Sequence, residues 1–121
     1  MTYKTNKKDF LEFKKEAEYW LEYFGLSDWE VRYSSKELEV SRGDCSVNII
    51  GKTCNIRLSS KWEYEPARNE VKKCAFHEVC ELLLCQLGVL ATWGHSNDIV
   101  TEQLHYVIRT LENTIFKEHR P

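Results

Sequence analysis

Residues 74–84 read Cys74-Ala75-Phe76-His77-Glu78-Val79-Cys80-Glu81-Leu82-Leu83-Leu84. All but three of these side chains are apolar, and they cover a helix almost all round, which is the pattern of a buried helix. The exceptions, His77, Glu78 and Glu81, fall within five positions of one another. Burying such groups alone costs roughly several kcal/mol or more, so a buried helix that carries them pairs them or uses them to hold a metal. His77 and Glu81 are four residues apart and project from one face, and Glu78 points to the side of that pair.

This spacing is H-E-x-x-H with the second His replaced by Glu. In H-E-x-x-H the outer residues bind zinc and the Glu is the general base. A carboxylate oxygen is also a zinc ligand, so His77 and Glu81 remain two ligands on one face. The ordinary explanation of His-Glu-x-x-Glu is a solvated charged face. The flanking Ala75, Phe76, Val79, Cys80 and Leu82 to Leu84 argue against it here.

The rest of the chain sets the frame. Its 121 residues predict one domain spanning 1–121, and 42% hydrophobic with 30% charged residues is ordinary globular composition. A net charge of −2 lacks the basic footprint of a nucleic-acid binder. Lys4, Lys7 and Lys8 cluster only at a terminus expected to fray. Five cysteines, with no C-x-x-C pair and no apolar leader, predict free thiols in a reducing cytoplasm. Cys74, Cys80 and Cys85 read as small core residues of the apolar helix, and Cys45 and Cys54 as core residues of strands. No uninterrupted apolar run approaches the roughly 20 residues of a membrane span.

In chain order, Phe10, Phe13, Ala17, Trp20, Leu21 and Phe24 predict an amphipathic helix over 6–24 that stops at Gly25. Trp29, Val31 and Tyr33 alternate with Glu30 and Arg32 as in a half-buried strand, and residues 34–43 read as a connection, with a short strand around Leu38 and Val40. Two alternating runs, Cys45-Val47-Ile49 and Cys54-Ile56-Leu58, flank Gly51-Lys52 as a hairpin. The expectation is a small, mainly antiparallel sheet of about three strands. Residues 59–65 read as a loop, and Pro66 opens the helix that carries the central stretch to about Leu87. Residues 88–97 connect to a last helix over 98–117, capped by Ser96, Asn97 or Asp98.

That last helix supplies a third ligand. Its apolar stripe is Val100, Leu104, Val107, Ile108, Leu111 and Ile115. At about 100° per residue, His105 lies at the edge of the stripe and Glu102 about 160° from Leu104, nearly opposite. His105 is therefore the expected ligand and Glu102 the second choice. Glu112, about 80° from Leu104 on the same wheel, is expected to support His105 by a hydrogen bond.

The order of helix, small sheet, H-E-x-x-E helix and final helix resembles the zincin metallopeptidase fold. The likeness is closest to the small single-domain zincin-like proteins of tailed bacteriophages and more distant to SprT-like and other minimal zincins. Its specific parts are Ala75 to Leu84 and Leu104 to Asn113. Family members carry H-E-x-x-H on the first of these helices and an acidic ligand on the last. Here Glu81 stands at the second His, and His105 at the acidic position, which preserves a set of two His and one carboxylate. The resemblance implies an α+β zincin-like domain and Zn²⁺ as cofactor. It implies a peptide or protein substrate hydrolysed with Glu78 as base, and a cytoplasmic setting, that of the host if the chain is phage-encoded. Independently of the resemblance, Trp62, Trp93 and His95 are expected in loops flanking the site helix and are candidates to line the cleft or stabilise the oxyanion, with core or rim packing the ordinary alternative for the two tryptophans. A second reading is a non-catalytic binding or inhibitor protein on the same scaffold, with a structural metal or none. A DNA-associated SprT-type protease is disfavoured by the acidic net charge and the lack of zinc-ribbon cysteines.

Overall fold

The computed structural model describes residues 2–120. Helix α1, Lys7–Tyr23, begins with a reciprocal cap: Asn6 Oδ1 accepts from the Asp9 amide at 2.8 Å, and Asp9 Oδ2 accepts from the Asn6 amide at 2.9 Å. It ends where Gly25 takes φ +71°, with Leu26 N–H donating to the Leu21 carbonyl and Gly25 N–H to that of Glu22. This is a Schellman turn, and it needs the left-handed backbone that glycine reaches at little cost. The terminus expected to fray instead forms a two-residue strand, β1, Tyr3–Lys4.

Three strands follow: β2, Glu30–Lys36; β3, Gly43–Asn48; and β4, Thr53–Ser59. The β3–β4 hairpin is as expected, with Asn48 Oδ1 accepting from the Gly51 amide at 3.0 Å and Lys52 at φ 51° in the turn. The mainly antiparallel sheet is not found. The strand order is β2-β4-β3, and β2 pairs with β4 in parallel from Glu30↔Thr53 to Lys36↔Ser59. The sheet is mixed because β4 takes the central slot. It is the most apolar strand, with Cys54, Ile56 and Leu58 essentially inaccessible, and a central position pairs it on both sides. Residues 37–42 carry the chain past that slot without forming the strand expected around Leu38 and Val40, and Val40 is 94% exposed. Trp62, expected in a loop, belongs to β5, Lys61–Trp62, which pairs antiparallel with β1.

Helix α2, Arg68–Ala91, starts two residues after Pro66 and is longer than expected. Gly88 does not stop it. A Cβ there would meet Leu104 Cδ1 at 2.8 Å, so this glycine lets α3 approach α2 closely. Helix α3, Asn97–Leu111, is capped by Ser96, whose Oγ accepts from the Ile99 amide at 3.3 Å. It runs into a π-helical turn, Glu112–Phe116, and a last short helix, α4, Lys117–His119.

The core lies between α1, α2 and the sheet. Phe13, Ala17, Trp20 and Leu21 meet Val71, Phe76 and Val79, with the Trp20 and Phe76 rings edge to face at 4.6 Å. The valine, leucine and phenylalanine side chains among these contribute about 1.5–3 kcal/mol each by leaving water. Helix α2 is long and apolar enough, by length and composition alone, to cross a membrane. Val71, Cys74, Ala75, Phe76, Val79, Cys80 and Leu82 are buried within the fold, which is the use a core helix makes of such composition. The fold is α+β, with three main helices and a small mixed sheet.

Candidate metal centre

Two helices build the site. On α2, His77 and Glu81 stand one turn apart, half-buried on the side facing α3. Because Gly88 and Leu104 bring α3 close, His105 faces them. The nearest ligand atoms of His77, Glu81 and His105 all lie within 4.8 Å of one another. Glu81 Oε1 is 3.3 Å from His105 Nε2 and 3.8 Å from His77 Nε2, and the two imidazole centroids are 5.5 Å apart. A tetrahedral ion with bonds of about 2.0–2.2 Å keeps its ligand atoms roughly 3.3–3.6 Å apart, so these three residues could hold a metal ion with small adjustments.

The proton arrangement fits the same use. His77 Nδ1 lies 3.4 Å from Glu112 Oε2. If Nδ1–H donates to that carboxylate, Nε2 turns a lone pair toward the Glu81 oxygen. A cation between them resolves that opposition, and a carboxylate behind a ligating histidine is the usual means of fixing its tautomer.

Glu112 was expected to support His105, and it supports His77 instead. It stands seven residues beyond His105, about 10.5 Å along a helix axis, which is out of reach. It opens the π-helical turn, where the backbone register shifts, and its side chain is only 12% exposed. Glu102, the second-choice ligand, is exposed and lies outside the cluster.

Glu78 is 4% exposed, and its Oε1 has no hydrogen-bond partner among the described residues. Burial first, and then the Glu81 carboxylate, push its carboxyl well above the ordinary carboxylate range. Glu78 follows His77 directly, so this oxygen belongs to the helix turn that carries the His77–Glu81–His105 cluster. The approach is set by Gly43 at the start of β3, where an added Cβ would come 3.3 Å from Glu78 Oε2 and 2.8 Å from Cys74 Sγ.

Clefts open on both sides of the cluster. The larger, about 400 Å³, is lined by His77, Glu78 and Glu112 with Arg42, Trp62 and Lys73. The Arg42 guanidinium lies over the Trp62 and Tyr64 rings and contacts the Tyr64 hydroxyl. The smaller, about 230 Å³, has Glu81 and His105 at one wall and Val47, Leu84, Leu104 and Ile108 around them. Of the three loop residues expected to flank the cleft, only Trp62 does so. Trp93 is 80% exposed, and neither it nor His95 lines either cleft. Gly43, Arg42 and Cys45 also border the site, and apart from the place of Gly43 just before an alternating strand, nothing in their sequence context marks them as site residues.

No family model, curated protein or solved structure matches the chain.

Proposed function

We propose that the chain is a zinc-dependent metallopeptidase of zincin-like build. His77, Glu81 and His105 hold the ion, and Glu78 is the general base. The observation that carries this reading is the convergence of three ligand atoms from two helices beside a buried carboxyl with an unpartnered oxygen.

When bound, the ion supplies a Lewis acid for a peptide carbonyl and makes water nucleophilic near neutral pH. Glu112 holds His77 through Nδ1 and so presents Nε2 to the ion. Glu78 takes a proton from the attacking water and returns it to the leaving amine. Its proton affinity, raised in the metal-free chain by burial and by the Glu81 carboxylate, moves it toward the range in which one carboxyl can both take and return a proton. Among the described residues strand β3 pairs only with β4, and its other edge offers main-chain donors and acceptors to an extended peptide. The partner in this reading is a peptide or protein, not nucleic acid, met in the cytoplasm.

The test is zinc content by elemental mass spectrometry together with hydrolysis of a broad peptide library. One zinc per chain with cleavage supports the reading, and a chain that takes up no zinc removes it. One observation favours a second reading. Glu81 Oε1 lies 3.3 Å from His105 Nε2, and in the tautomer with the proton on Nε2 the two satisfy each other without an ion. A zincin-like scaffold that binds a protein without cutting it would be the function if zinc uptake and hydrolysis do not occur together.

A further inference from the structure

We propose that Cys45 and Cys54 are an oxidisable dithiol in the wall of the smaller cleft, closed to an intramolecular disulfide by hydroperoxides. Their sulfurs lie 3.2 Å apart, within hydrogen-bond distance. The hairpin register explains the contact. Cys45 pairs with Ile56 and Val47 with Cys54, so the two cysteines are diagonal neighbours on one face of adjacent strands. A disulfide is about 2.03–2.05 Å long, so the sulfurs must close by about 1.2 Å.

The two thiols differ in access. Cys45 is half-buried and lines the cleft beside Glu81 and His105. Cys54 is 1% exposed and sits behind it. A solute entering the cleft therefore meets Cys45 first, with Cys54 already placed to resolve the product. Cys85 shares the cleft, and Cys74 and Cys80 are buried on α2, but the Cys45–Cys54 pair is the sulfur–sulfur contact found among the described residues.

The chemistry balances with peroxide as oxidant. The Cys45 sulfur attacks one peroxide oxygen and the O–O bond breaks. Cys45 becomes a sulfenic acid, its thiol proton leaves, and the departing hydroxide becomes water. The Cys54 sulfur then attacks the Cys45 sulfur and displaces hydroxide, which takes the Cys54 proton as a second water. Two thiols and one hydroperoxide give one disulfide and two waters, or one water and one alcohol for an organic hydroperoxide. Nothing in these steps depends on an ion in the site.

The experiment uses the full chain kept free of metal by a chelator. It is treated with hydrogen peroxide, unfolded in excess iodoacetamide and weighed intact. The expected product has lost two hydrogens, carries three alkylated cysteines of the five, and yields tryptic peptides 43–52 and 53–57 joined to each other. A dithiol reductant should separate them. Cys85→Ser should still form the link, and Cys45→Ser should not. Five alkylated cysteines after peroxide, oxygen added at Cys45 without a link, or a link to Cys85 would each overturn the proposal.

Discussion

Nδ1 of His77 lies 3.4 Å from Oε2 of Glu112, joining the middle of α2 to the first residue of a π-helical turn. Such turns arise where one residue is extra to the α-helical register, and they collect at functional sites. Here the turn starts at the carboxylate that, among the described residues, reaches the back of the His77 ring. Glu112→Ala should leave the fold intact and weaken zinc binding about 10- to 100-fold, as loss of a partner behind a ligating histidine does elsewhere. Competition with a chromophoric chelator measures this, and unchanged affinity would show that the contact does not orient His77.

The ligand set makes a contrast on one helix. His105→Ala should abolish tight zinc binding, because only His77 and Glu81 remain. Glu102→Ala, three residues away but exposed, should bind zinc as the parent does. Zinc loss in the Glu102 variant alone would mean that α3 is rotated from the position described.

Glu78→Gln separates holding the ion from using it. Zinc content should be unchanged, while hydrolysis of any substrate found falls about 10²–10⁴-fold, the usual worth of a positioned base. A variant that keeps zinc and full activity removes Glu78 from the reaction.

The same residue gives a pH signature in the metal-free protein. The Glu78 carboxyl is raised well above 4.5 in the fold, so below that pH both folded and unfolded chains hold the proton and the fold loses nothing. As pH rises through 4.5, the unfolded chain releases its proton while the folded one keeps it, and stability falls until the folded value is passed. Denaturant midpoints of the metal-free parent should therefore decline relative to Glu78→Gln as pH rises from about 4 to 7. Parallel curves would place the Glu78 carboxyl in the ordinary range.

Gly43→Ala tests the close approach of β3 to α2. The new methyl group would meet Cys74 Sγ at 2.8 Å, the Arg57 carbonyl at 3.0 Å and Glu78 Oε2 at 3.3 Å. All three neighbours belong to packed elements, and the Arg57 carbonyl is backbone with little room to retreat, so a loss of about 1–3 kcal/mol is expected from chemical denaturation. A neutral result would mean that the strand start is free to move.

Much of this molecule is visible in the order of its residues, and the exceptions have particular causes. The His77-Glu78-Glu81 stretch is readable because charge inside an apolar helix has few uses, and the choice of His105 over Glu102 follows from helical angle alone. The partner of Glu112 did not follow, because a helical wheel gives direction around the axis and not distance along it. The π-helical turn has no signature that periodicity reveals. The parallel pairing of β2 with β4 escaped for a related reason: alternation says that a strand exists and which face is buried, not which neighbour it takes. Gly88 misled because a glycine near a helix end looks like a stop until its neighbour, Leu104, is known.

The chain closes on itself at its far end. Arg120 donates from Nε to Glu16 Oε2 at 3.0 Å, Trp20 Nε1 donates to the same carboxylate at 2.8 Å, and Glu16 is 4% exposed. Besides the Glu112 contact with His77, the segment that carries His105 is fastened to α2 by Leu104 seated against Gly88 and to α1 by Arg120 on Glu16. Neither fastening contains a chemical group of the site. A substitution at Gly88 or Glu16 would therefore leave every ligand present and still move His105 away from its partners. The stretch of inheritance that must stay intact for this centre is wider than the handful of side chains that meet there, and loss of the centre can begin at positions that never touch it.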